Sequence, residues 1–100
     1  MPFDSTLDPT TDVILGAITY LETHGWQRGG CDPHNPNGPG CIREAIYRAA
    51  NGYTHIAHLA VLRVKEANGI TIDIPFWNDA QERTKEQVLD ALHNSLVMIL

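Results

Sequence analysis

Cys31, His34 and Cys41 lie close together in one short stretch, and His55 and His58 follow one helical turn apart further along. Thiolates and imidazoles are the ligands of tetrahedral zinc, and Cys31-x-x-His34 has a spacing that such a site uses. Cys31, His34 and Cys41 from the stretch, with His58 from a helix, would complete a structural zinc site. A strong zinc pattern contains two closely spaced ligand pairs, whereas here the second pair must be borrowed from separate segments. The favoured reading is plainer: a solvated loop with two reduced thiols and ordinary histidines. A Cys31–Cys41 disulfide is sterically accessible across so flexible a loop and would contribute roughly 2–3 kcal/mol by restricting the unfolded chain. A reducing compartment opposes it. Thiol, metal ligand and disulfide therefore stand open for these two residues.

Cys41 also invites a thiol-based reading, because it begins a helix whose backbone N–H groups would favour a thiolate. A cysteine phosphatase loop places Arg six residues after the Cys. Here that position is Tyr47, and Arg48 is one too far. A small residue opening an amphipathic helix is the simpler account. Two other chemistries fail on spacing. The loop lacks the Gly-Lys-Ser/Thr ending of a phosphate-binding loop. A calcium loop begun at Asp32 would put His34 and Pro36 where oxygen ligands belong.

Trp26 and Trp77 form the other constellation, each at a junction between helices. They read as interface anchors, or as wedges between helices with Asn78 and Asp79 capping backbone groups near the last helix, and the second reading is preferred. The expected cap partners are N–H groups between residues 80 and 86, and Arg83 is placed to pair with Asp79.

The elements that would position these residues are helical. Asp8 is a good N-cap with Pro9 at the first helical position, and Val13, Ile14, Ala17, Ile18 and Leu21 make a stripe that ends at His24-Gly25. Four Gly and three Pro in residues 29–40 exclude helix and central strand there. A second helix is predicted from about Cys41 to Ala50, with Asn51-Gly52 as its stop. A third runs from about Thr54 to Ala67 and is apolar around most of its circumference, which predicts a central position. Ile70 to Ile74 alternates apolar and polar residues but has no partner strand, so it reads as an extended connection. Thr84 and Gln87 form a capping-box pattern that opens the last helix.

The chain has 100 residues, enough for one domain and one core. Its 43% hydrophobic and 19% charged residues are those of a globular protein, and the formal charge is −5. An acidic chain is poorly suited to sequence-independent nucleic-acid binding. No apolar run reaches membrane-spanning length, and the N-terminal residues do not resemble a secretory signal, which together predict a cytoplasmic protein with no membrane partner.

Two stretches resemble an uncharacterised family of small actinobacterial and actinophage proteins. One is Gly25-Trp26-x-x-Gly29, a variable loop, then Cys41 with Ala45-Ile46 and Ala49. The other is Trp77-Asn78-Asp79 with Arg83-Thr84 and Gln87-Val88. The likeness covers roughly residues 10–96. It implies organisation and origin but no activity, and His34, His55 and His58 are not part of it.

The expected fold is therefore all-α: a compact four-helix domain over residues 1–100, with residues 1–8 as a lead, residues 29–40 as a Gly/Pro-rich loop, and a short extended segment before the fourth helix. Val13, Ala17, Leu21, Ile46, Leu59, Val88 and Leu92 are its expected core. The expected function is a non-enzymatic regulatory or interaction protein, an accessory factor of a phage or mobile element. The alternative is a metal-binding or thiol-based site built on Cys31, His34 and Cys41. Trp26, Trp77, Leu96, Ile99 and Leu100 are the expected contact residues. The last three belong to an apolar C-terminal turn that a homodimer would cover.

Overall fold

The computed structural model describes residues 8–29 and 38–97. Among the described residues five helices follow one another: α1 (Pro9–His24), α2 (Ile42–Ala50), α3 (Thr54–Asn68), the short α4 (Ile74–Asn78) and α5 (Lys85–Val97). Among the described residues there is no strand, only an isolated parallel bridge between Trp26 and Gly40 that closes the base of the Gly/Pro-rich loop. The mostly helical class is as expected, and the expected count of four helices becomes five. The extended connection before the last helix shortens to residues 70–73, because Ile74 opens α4 with Pro75 behind it. Ile70 and Ile74 are buried while Ile72 is exposed, so the alternation reflects two anchors in the core and not a strand.

Local signals set most helix ends. Asp8 caps α1, its carboxylate accepting from the Thr11 N–H at 3.0 Å and from the Thr11 hydroxyl. The capping box at α5 is formed, with Thr84 N–H to Gln87 Oε1 at 3.1 Å and Gln87 N–H to Thr84 Oγ1 at 3.2 Å. Gly69, at φ +64°, ends α3 in the left-handed conformation that glycine adopts without steric cost. Beside it Asn68 ties α3 to α5 by donating to the carbonyls of Val64 and Ala91.

Helix α1 packs on α2, α3 and α5. Val13, Ile14, Ala17 and Leu21 are fully buried on it, against Ile42, Ala45 and Ile46 of α2 and Val88 and Leu92 of α5 in one core. Gly16 permits the closest approach to α2: a Cβ there would stand 3.0 Å from the Cβ of Ala49. α3 likewise packs on α1, α2 and α5, but through one stripe and not around its circumference. Its buried residues are Ala57, Ala60 and Val64, spaced to lie on one stripe, while Leu59 and Leu62 are 51% and 44% exposed. Small residues let α3 lie close against its neighbours, and the larger leucines are left on the opposite side. Leu59 is thus corrected from core to surface, whereas the other six expected core residues are fully buried.

Arg63 of α3 reaches the α1 cap, 3.4 Å from Asp8 and 3.0 Å from Thr11 Oγ1. Partial burial pushes the Asp8 carboxyl upward, but the hydrogen bonds from Thr11 and the charge of Arg63 outweigh it and hold the group below its ordinary value. A depressed folded-state value means that the stabilisation is complete above about pH 4 and is lost as pH falls below that. Asp8→Ala is expected to cost about 0.5–1 kcal/mol at neutral pH, at the low end for a cap because the side chain is partly exposed. Urea melts at descending pH should show the gap to the parent protein closing below about pH 4. A gap that stays constant would assign the effect to packing.

Candidate functional site: two grooves beside a polar junction

The Trp-Asn-Asp turn builds a junction. Asn78, at the end of α4, is fully buried. Its Oδ1 accepts from Trp26 Nε1 at 2.6 Å and from the Ile42 N–H at 3.0 Å, and its amide donates to the Gln27 carbonyl and to Asp79 Oδ1. Asp79 also accepts from the Gly29 N–H at 2.7 Å. The two side chains do satisfy backbone groups, but those of residues 27–42 and not of residues 80–86. The physical reason is that Ile42 presents an orphan N–H at the first position of α2, where helix geometry supplies no partner.

Arg83 does not pair with Asp79 as expected. Its Nε donates to the Trp77 carbonyl at 2.9 Å, and its guanidinium lies 3.9 Å from the centre of the Trp77 ring. Arg28 crosses back to the same turn, donating to the carbonyls of Ala80 and Arg83. Trp26 and Trp77 are both partly buried against the core. Both rings also take part in contacts within the fold, Trp26 with Asn78 and Trp77 with Arg83.

The remaining expected site residues are separated or lie outside the described region. Cys31 and His34 fall outside it, and with them the four-ligand zinc site and the disulfide. Cys41 is the N-cap of α2, its sulfur accepting from the Glu44 N–H at 3.3 Å as a serine hydroxyl would. His58 is exposed on α3. Among the described residues no three His, Cys, Asp or Glu side chains converge to hold a metal. Leu96 packs partly buried against the core. Ile99 and Leu100 lie outside the described residues.

Two concave surfaces lie on the outer side of α3 and beside it. A groove of about 760 Å³ runs along the outer side of α3, where Leu59 and Leu62 meet Ile70, with Arg63, Lys65 and Glu66 at its edges. A second, of about 400 Å³, adjoins it between α2, α3 and α4. Leu62 and Lys65 border both. Phe76, 69% exposed, borders the second, so large apolar side chains extend from one groove to the next. Sequence reasoning missed these residues, because a helix apolar around most of its circumference does not reveal which leucines face outward. The signal available was the asymmetry of size, Ala57 and Ala60 against Leu59 and Leu62.

Fold and surface together describe a mostly helical protein with a braced loop base and an exposed apolar face on α3. Among the described residues no helix is long and apolar enough to cross a membrane. Residues 5–95 match DUF6197, a family of unknown function, and the chain belongs to that family. No curated protein and no solved structure matches it.

Proposed function

We propose that this chain is a non-enzymatic interaction domain, an accessory factor of actinobacterial or phage origin, whose outer α3 face docks an acidic, apolar segment of another protein. The observation that carries the reading is the exposure of Leu59, Leu62 and Phe76 around two adjoining grooves. Water-exposed large side chains grouped around concave surface characterise interaction sites. Charge selects the partner. The grooves are bordered by Arg43, Arg63 and Lys65 against Glu66 and Asp73, three of the seven basic residues but only two of the twelve acidic ones. Arg63 is already engaged by Asp8, so Arg43 and Lys65 supply the attraction for an acidic segment, which the chain's formal charge of −5 otherwise opposes.

The test places a photo-crosslinking residue at position 59, 62 or 76, with exposed Glu22 as control, in the native host. The expected product joins positions 59, 62 and 76, but not 22, to one partner protein. Leu59→Asp should weaken capture of that partner at least about tenfold, the loss of roughly 1.4 kcal/mol, with little change in melting temperature. Capture that ignores Leu59→Asp, or a product that joins only two copies of this chain, would overturn the reading.

A further inference from the structure

We propose that the smaller groove is a binding site for an apolar monocarboxylate: a hydrocarbon or aromatic body bearing one negative charge. The body has a built seat. Ile74 is buried at the start of α4, and partly buried Val61 and Pro75 continue that apolar wall to the exposed ring of Phe76. A volume of about 400 Å³ lies within the range of small-ligand sites, which combine apolar walls with a few convergent polar groups.

The polar groups here are Arg43 from α2, Lys65 and His58 from α3, and Asp73 before α4. The ion pairs among the described residues are Arg48–Glu44 and Arg63–Asp8, so Arg43 and Lys65 face the groove uncommitted to any carboxylate. Arg43 is held in place, its guanidinium 4.3 Å from the centre of the Tyr47 ring. A cation–π contact leaves guanidinium N–H groups for the forked pairing that carboxylates make. At formal charges Arg43 and Lys65 against Asp73 leave one positive charge. That balance matches a monoanion and disfavours the more highly charged phosphates.

Such a group can come from a free acid or from the C-terminal residue of a docked chain. Titration of the full chain with 3-phenylpropionate, its amide and N-acetylphenylalanine, followed by amide NMR shifts, separates the cases. The acid is expected to saturate at about 1 mM or below, with shifts centred on Tyr47, His58 and Phe76. Its amide should bind about tenfold more weakly. Arg43→Gln with Lys65→Gln should bring the acid down to the level of its amide, while Phe76→Ala should weaken both ligands alike. Tighter binding of N-acetylphenylalanine than of phenylpropionate assigns the source to a chain terminus, and the reverse assigns it to a free acid. Equal affinity for acid and amide, shifts centred elsewhere, or no saturation up to about 10 mM would overturn the site. The result is separable from the docking reading, because crosslinking at position 59 reports the larger groove alone.

Discussion

Asn78→Ala is expected to lower the free energy of unfolding by about 3 kcal/mol, within the range of roughly 2–5 for loss of a buried polar hub. The amide is fully buried and its oxygen serves two donors, Trp26 Nε1 and the Ile42 N–H. Truncation leaves both without that acceptor, and each such unmade bond costs about 1–3 kcal/mol. In a domain of this size the melting temperature should fall by roughly 10–20 °C. Trp26→Phe removes one of the donors, so the double variant should be less destabilised than the sum of the singles, by about 1 kcal/mol. Urea melts of all four proteins measure it. Strict additivity would show that the indole and the amide do not share an interaction, and the junction would lose its role as the brace of the loop.

Leu92→Ala should be comparably damaging, about 3 kcal/mol and between roughly 2 and 5. Leu92 is fully exposed to the core and not at all to water, at 0% accessibility on α5. Deleting its branched end removes buried area and opens a cavity that the surrounding helices cannot close, since interiors are packed at crystal-like density. Leu59→Ala is the internal control. The same chemical change at a half-exposed position should cost less than about 1 kcal/mol. Equal losses at the two positions would place α3 in a different rotational setting, and the grooves on its outer side would not exist as described.

These paired leucines show where local pattern stops being informative. Leu59 and Leu92 both sit in apolar helical stripes, and periodicity alone assigns both to the core. On α5 the stripe alternates with Asp90, His93 and Asn94, so polarity picks the outward side. On α3 apolar residues cover most of the circumference, and the polar residues do not tell Leu59 and Leu62 from the buried stripe. The choice falls to shape. Ala57 and Ala60 allow a close approach that Leu59 and Leu62 would prevent, and close packing outweighs the extra area the leucines would bury.

The Trp-Asn-Asp turn divides in the same way. Its residue types announced a polar junction, since Asn and Asp side chains seek unpaired backbone groups. Which groups they meet depended on distance in space. Trp26 and Ile42 are 52 and 36 residues away from Asn78, beyond the reach of any local rule.

What the sequence by itself determined is the set of features whose causes lie within a few residues. These are the Asp8-Pro9 start of α1, the Thr84–Gln87 capping box, the helical class, and most of the core on α1, α2 and α5. Each rests on a hydrogen bond or a periodicity that spans one or two helical turns. Only the tertiary structure decided the outward side of α3, the partners of Asn78, the brace formed by Arg28, and the meeting of Arg43, Lys65 and Phe76 around one groove. Those depend on how helices pack, and packing is settled by the shapes of surfaces from distant parts of the chain, which no short stretch of sequence contains.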